Sequence, residues 1–116
     1  MVRQFVETSV FTRRWTELGL GDDNLLELQK YLIKRPASGA VISGTGGARK
    51  LRFALSNKGK SSGARVIYVD ILQDEQIHLL LCYIKSEQED LTELQKKQLK
   101  ALIKIIKEGK KFENES

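Results

Sequence analysis

The sequence predicts one α+β domain, in which helices pack against one face of a small, mainly antiparallel sheet. Apolar residues recur at helical spacing near both ends of the chain, whereas the middle holds an alternating segment and two short apolar runs typical of strands. A chain of 116 residues can bury one modest core. We expect residues 1–109 to form the domain and residues 110–116 to form a frayed tail.

The first third of the chain is predicted to form a strand and two helices. Residues 2–6 resemble a short strand, and Thr8 or Ser9 can cap a helix that Gly19 ends. A second helix follows a tight Gly-Asp turn and ends before Pro36, so we expect an antiparallel helical hairpin. The apolar stripe of this second helix consists of Leu25, Leu28 and Leu32.

The middle of the chain is predicted to be irregular and then to form strands. Residues 37–47 are rich in Gly, Ser and Thr, which indicates an irregular connection. Residues 49–55 alternate between apolar and outward-facing side chains, so they predict a half-exposed strand. A turn at 57–63 leads to two apolar strands, Arg65–Ile71 and Ile77–Ile84. The outward-facing residues of the alternating segment are Lys50, Arg52 and Ala54.

The last helix is predicted to begin with a capping box. Asp90 supplies a carboxylate at the cap, and Glu93 follows three residues later. We expect Gly109 to end this helix. Its buried face is predicted to consist of Leu99, Leu102, Ile103 and Ile106.

Several classes of site and location are disfavoured by residue type. Cys82 is the only cysteine, which excludes an internal disulfide or a cysteine-based metal cluster, and we expect it to be buried. His78 is the only histidine and lies among leucines, so a Ser-His-Asp triad or a histidine metal site is poorly supported. We expect no cofactor or metal. No apolar run reaches the roughly 18 residues of a membrane span. Arg3 is not followed by the apolar run of a signal peptide, so we expect a cytoplasmic protein.

Charge is distributed unevenly along the chain, although the formal net charge is only +5. The 42 residues from Leu28 to Val69 contain no Asp or Glu and nine cations. Such a segment is a candidate phosphate-binding surface, and the alternative is a solvated basic face without a partner. The nine cations are Lys30, Lys34, Arg35, Arg49, Lys50, Arg52, Lys58, Lys60 and Arg65.

Glycines flank two groups of these cations, at residues 46–52 and 58–65. Glycine lets a backbone approach phosphates closely, and the two groups lie in adjacent predicted strands, so their cations can converge on one patch. Tyr68 and Tyr83 could add a stacking surface or a hydroxyl for single-stranded RNA, or both could be half-buried strand aromatics. A passive binding patch and a site that cleaves RNA through its own 2′-hydroxyl fit these residues equally well.

The combined pattern resembles the HigB branch of the RelE toxins over nearly the whole chain. The resemblance is carried by residues 44–52 (Gly-Thr-Gly-Gly-Ala-Arg-Lys-Leu-Arg), 59–68, 83–87 (Tyr-Ile-Lys-Ser-Glu) and 90–92 (Asp-Leu-Thr). It implies a compact α+β domain with an N-terminal helical hairpin and a C-terminal helix on a twisted antiparallel sheet. This chain departs from the family in having Ile84 where a Gly is usual, Ser86 where some relatives have Arg, and Ala48 where others have Lys.

The resemblance also implies a function and a set of partners. The implied activity is metal-independent, ribosome-dependent cleavage of mRNA by the toxin of a type II toxin–antitoxin pair. The implied partners are mRNA, the 70S ribosome and a cognate antitoxin, HigA-like with a helix-turn-helix domain, through which alone operator DNA is bound. The matching catalytic positions are Lys50, Arg52, Lys60, Arg65, Tyr83 and Lys85. The basic and aromatic residues predicted to contact RNA or the ribosome are Arg49, Lys58, Tyr68, Lys34 and Arg35.

Two other functions remain open at the level of sequence. A non-catalytic module that binds RNA or the ribosome would keep the basic patch without cleaving. A ParE-like inhibitor of gyrase would share the fold, although that branch lacks the basic turn found here.

Overall fold

A computed structural model describes residues 3–54 and 63–115, with side chains described as far as residue 109. The described chain forms one sheet and three α-helices, with a single 3-10 turn at Leu72–Asp74. The elements, in chain order, are β1 (Gln4–Glu7), α1 (Ser9–Glu17), α2 (Asp22–Lys34), β2 (Ala40–Val41), β3 (Arg49–Phe53), β4 (Ala64–Ile71), β5 (Gln76–Ile84) and α3 (Glu93–Glu115).

The strands lie in the order β1-β5-β4-β3-β2. β1 runs parallel to β5, and the other three pairings are antiparallel, so the sheet is mainly antiparallel as predicted. The two-residue strand β2 lies within the segment predicted to be irregular, and it pairs Ala40 with Lys50 and Val41 with Arg49. A strand this short in a Gly- and Ser-rich segment has no apolar alternation of its own, so only its pairing with β3 reveals it.

Helices cover both faces of the sheet, and the expectation that they cover one face is wrong. Alternate residues of β4 enter two separate cores, Val66 and Tyr68 in the first and Ile67 and Val69 in the second. The first core is completed by α1 and α2, and the second by α3. The continuous apolar runs of β4 and β5 are the sequence signal for strands buried on both faces.

The helices supply the apolar stripes that their spacing predicts. On one side, Phe11 and Trp15 of α1 stack with ring centroids 5.3 Å apart and share a core with α2. The buried residues of α2 in this core are Leu28 and Leu32. On the other side, α3 contributes Leu99 and Ile103, with Leu102 and Ile106 partly buried beside them.

The start of α1 is capped as predicted, but the start of α3 is not. Thr8 Oγ1 accepts a hydrogen bond of 2.9 Å from Phe11 N. At α3 the reciprocal pair is Thr92 and Gln95: Gln95 N donates to Thr92 Oγ1, and Thr92 N donates to Gln95 Oε1, each at 3.0 Å. The predicted cap by Asp90 and Glu93 is therefore wrong, because a second capping box two residues further on forms instead. The side chain of Asp90 is left available for another contact.

The end of α3 also differs from the expectation. The helix continues through Gly109 to Glu115. Gly109 keeps helical backbone, unlike Gly19, which has φ +79° at the end of α1 as predicted. A glycine within a helix costs only about 1 kcal/mol relative to alanine, so it ends a helix only where it adopts the left-handed conformation.

His78 and Cys82 are both buried in β5, as their apolar neighbours predict. Burial lowers the pKa of His78, which favours the neutral imidazole. Burial also raises the pKa of the Cys82 thiol to about 12.

Within the described residues, no helix is both long and apolar enough to cross a lipid bilayer.

The buried thiol gives a first testable prediction. A rise in the pKa of Cys82 from 9.0 to about 12 lowers the thiolate fraction at pH 8 by about three orders of magnitude, and only the thiolate reacts with iodoacetamide. We therefore expect the native chain to resist alkylation while the urea-unfolded chain is modified rapidly, as measured by mass spectrometry. Equal rates for the two states would contradict the buried position.

Candidate functional site

A polar cavity of about 440 Å³ lies on the face of the sheet that α3 covers, beyond the second core. It brings together side chains from β3, β4 and the segment between β5 and α3. Four cations and two carboxylates surround it: Lys50, Arg52, Arg65, Lys85, Glu89 and Asp90. The predicted convergence of cations from neighbouring strands is therefore present, with two acidic residues that were not predicted.

The sheet register explains why these side chains meet. Arg52 of β3 lies opposite Arg65 of β4, which in turn lies opposite Tyr83 of β5. Lys50 projects from the same side of β3 as Arg52, because side chains alternate along a strand with a period of two. The alternation that predicts an outward-facing pair in β3 therefore places both cations on the cavity.

Arg65 and Tyr83 are buried members of this site. Arg65 is 7% exposed, and its guanidinium donates a hydrogen bond of 3.1 Å to the Gly63 carbonyl. The Tyr83 hydroxyl is buried and has no hydrogen-bond partner among the described residues. Burial raises the pKa of Tyr83, and the Asp90 carboxylate adds to this, whereas the charges of Lys50 and Arg65 oppose it. The net effect keeps the phenol protonated at neutral pH, where it can donate a hydrogen bond.

Asp90 contacts Lys50 directly. Lys50 Nζ donates to Asp90 Oδ1 at 2.9 Å, with the Asp90 side chain 77% exposed and that of Lys50 35% exposed. This hydrogen bond and the lysine charge lower the pKa of the Asp90 carboxyl. Sequence reasoning missed Asp90 because it assigned the residue to a helix cap. The available signal was the Thr92-x-x-Gln95 pair, which competes for the same role.

The segment that carries Asp90 is fastened at several points. Glu87 Oε1 accepts a hydrogen bond from Arg14 of α1. Gln88 Nε2 donates to the Asp90 carbonyl at 2.9 Å and to Gln95 Oε1 at 3.0 Å, which ties the segment to the cap of α3. Leu91, the next residue, is buried in the second core. The contacts of the residues before and after Asp90 therefore fix the position of its backbone.

Tyr68 does not belong to this site, and its predicted role as a stacking surface is wrong. Its side chain is completely buried in the first core. The hydroxyl donates to the Pro36 carbonyl at 2.8 Å and accepts from Gly39 N at 2.9 Å. Tyr68 therefore holds the segment after α2 against the sheet. The alternation of side chains along β4 could not predict the burial of Tyr68, because both faces of β4 are buried around this residue.

The other predicted contact residues are also outside the cavity or outside the described chain. The Arg49 guanidinium donates to the carbonyls of Gly39 at 2.7 Å and Ala37 at 3.3 Å, which is a structural role. Lys34 and Arg35 are exposed at the end of α2 and do not line the cavity. Lys58 and Lys60 lie outside the described residues.

Comparison with known proteins identifies the fold. No family model matches the chain. Solved structures of the E. coli toxin RelE are similar to it: the isolated toxin at 17% identity and a TM-score of 0.51, covering 87% of this chain and 99% of that chain. An arginine double mutant of RelE in the free state shares 19% identity at a TM-score of 0.54, covering 77% and 90%. The intact E. coli RelBE toxin–antitoxin complex matches at 19% identity and a TM-score of 0.50, covering 70% and 94%.

The chain therefore has the RelE-like fold that its motifs imply. The likeness extends over nearly the full length of the RelE chains. Within the described residues, no cluster of three or more His, Cys, Asp or Glu side chains could hold a metal ion.

The position of Tyr68 gives a second prediction. We expect Tyr68→Phe to lower the free energy of unfolding by about 1–3 kcal/mol, because it leaves a buried backbone N–H and a carbonyl without their partner. Urea denaturation would measure the change. Tyr31→Phe, at an exposed tyrosine of α2, is the matched control and should change stability little. Equal effects of the two substitutions would contradict the assigned role.

Proposed function

We propose that this chain is the toxin of a type II toxin–antitoxin pair and cleaves messenger RNA on the ribosome without a metal ion. The observation that carries the proposal is the meeting of Lys50, Arg52, Arg65 and Lys85 around one cavity, next to the buried hydroxyl of Tyr83. The RelE-like fold and the resemblance of the motifs to the HigB branch support the same function.

The cations suit the charge that develops when RNA is cleaved by its own 2′-hydroxyl. In that reaction the 2′-oxygen forms a bond to the adjacent phosphorus, and the bond from phosphorus to the 5′-oxygen breaks. The phosphoryl group gains negative charge in the transition state, which nearby fixed cations stabilise in a partly desolvated site. Four cations supply positive charge there without a metal ion.

Protons must move in the same step. The 2′-hydroxyl loses a proton to a base, and the departing 5′-oxygen gains one. Tyr83 suits the donating side, because burial raises its pKa and keeps the hydroxyl protonated. Arg52 and Arg65 carry permanent charge and suit stabilisation of the phosphoryl oxygens. Lys50 lines the same cavity and contacts Asp90, and it can hold a phosphate or donate a proton there.

Lys58 and Lys60 remain predicted contributors. In the sequence they fall between Phe53 and Ala64, two residues that pair with each other in register. Phe53 and Ala64 are the sequence neighbours of Arg52 and Arg65, which line the cavity.

The proposal includes a partner that neutralises the toxin. We expect a cognate antitoxin, HigA-like with a helix-turn-helix domain, and we expect operator DNA to be bound only through it. One of the similar structures is that of a toxin–antitoxin complex, RelBE. The proposed place of action is the cytoplasm, where mRNA and ribosomes are found.

Expression without the antitoxin should arrest growth and leave cleaved transcripts. We expect Lys50→Ala and Arg52→Ala to relieve the arrest and to slow cleavage on programmed ribosomes roughly 10²-fold or more, the loss typical for one group that stabilises transition-state charge. Arg13→Ala removes the same charge at an exposed position of α1 away from the cavity and should leave the chain toxic. If both cavity variants remain fully toxic, the site is wrong.

The same experiment separates the other functions. Arrest with intact mRNA would contradict cleavage and favour a module that binds RNA or the ribosome without cutting. Arrest with a DNA-damage response would favour inhibition of gyrase.

Co-expression should test the partner. We expect the product of a short adjacent reading frame with a helix-turn-helix pattern to restore growth and to co-purify with this chain. A neighbouring product that neither binds nor restores growth would contradict the proposed pairing.

A further inference from the structure

We infer that Asp90 is a positioning residue of this site: its carboxylate holds the Lys50 ammonium at the cavity against the repulsion of the neighbouring cations. The inference rests on the proposed function for its effect on cleavage. The contact itself is a property of the free chain and can be tested separately.

The geometry favours a fixed contact over a chance surface ion pair. Lys50 lies in a paired strand, with its backbone held by both β2 and β4. Asp90 lies between Gln88, which bonds its carbonyl, and Leu91, which is buried in the second core. The two side chains therefore approach each other from backbones that are each held independently, which lowers the entropy cost of forming their contact.

The charges around Lys50 explain why it needs a counter-ion. Arg52 reaches the cavity from β3, Arg65 from β4 and Lys85 from the segment after β5. Each repels the Lys50 ammonium, most strongly where water is partly excluded. Lacking a carboxylate partner, Lys50 would be driven towards solvent and away from Tyr83.

The remaining charged or titratable neighbours do not replace Asp90. Glu89 lines the same cavity, but no hydrogen bond joins it to Lys50 among the described residues. The Tyr83 hydroxyl is protonated, and Lys96 of α3 acts on Asp90 as a second, weaker cation. Because the pKa of Asp90 is lowered, its carboxylate stays ionised at neutral and mildly acidic pH. The contact is lost only when the pH falls through that lowered pKa.

Asp90 has opposite expected effects on binding and on the chemical step. As an anion in a phosphate-binding cavity, it weakens the binding of RNA. As the partner that places Lys50, it speeds the step in which Lys50 takes part. Replacing a residue that only maintained the fold would not strengthen RNA binding while slowing the chemical step. Opposite changes in the two quantities therefore identify a positioning role.

The first test is independent of any activity. NMR titration of the Asp90 carboxyl should show a pKa below the ordinary value in the wild-type chain and a rise towards that value in Lys50→Ala. Lys96→Ala is the matched control and should cause a smaller rise, because Lys96 acts only through its charge at a distance. An Asp90 pKa that Lys50→Ala leaves unchanged would overturn the inference, whatever the chain does to RNA.

The second test is a double-mutant cycle of cleavage on programmed ribosomes. We expect Asp90→Asn to lower kcat about tenfold or more with KM unchanged or lower, and Asp90→Glu to restore part of kcat. In a Lys50→Ala background, Asp90→Asn should have no further effect on kcat, because Asp90 acts on the chemical step through Lys50. Glu89→Gln serves as the comparison, and its effect should be the same in both backgrounds.

The outcomes distinguish this inference from the proposed function. If Asp90→Asn lowers kcat by the same factor with and without Lys50, or raises it, the positioning role is wrong. The melting temperature of each variant checks the fold. A wild-type chain that cleaves no RNA would instead remove the proposed function and with it the catalytic effect of Asp90, while the titration would still decide whether Asp90 holds Lys50.

Discussion

The burial of β4 on both faces is the constraint on which the rest of the structure depends. Because alternate side chains of this strand enter two cores, a helical layer is needed on each side of the sheet. The second core uses β4 side chains from Ile67 onward, so Arg65, two residues earlier on the same face, is left at its margin. The cavity begins where that apolar cover ends. Its position follows from how far the apolar alternation extends along one strand.

Placing several cations together at the edge of the second core lowers the stability of the chain when no anion is bound. Arg65 is largely withdrawn from water, and the register places Arg52 beside it. Like charges this close repel one another, and a bound phosphate would relieve that repulsion. Among the described residues, one carboxylate contacts a cation of this cavity: Asp90 pairs with Lys50. The site therefore resembles a polyanion-binding surface in which part of the charge is already balanced by the protein itself.

The sequence predicts correctly the features that depend on the spacing of neighbouring residues along one strand or helix. It fails for features that depend on contacts between residues far apart in the chain. The alternation of β3 correctly places Lys50 and Arg52 on one face, because a strand has no other way to arrange them. Two overlapping capping boxes precede α3; the Thr92–Gln95 box forms, and Asp90 instead contacts Lys50, 40 positions away in the sequence. Tyr68 was misjudged for the same reason, since alternation assigns a face but cannot tell whether a helix covers it. The Lys58 and Lys60 assignments remain predictions.

The parallel pairing of β1 with β5 has a consequence for synthesis. Gln4 pairs with Gln76, so β1 has no partner in the sheet until β5 has left the ribosome. Contacts of such large sequence separation form late, because loop closure must precede them. The cavity likewise needs Lys50, Arg65, Lys85 and Asp90 together. A growing chain would therefore complete the lining of the cavity only after Asp90 has been synthesised, and a product that ends before Asp90 would lack a finished site.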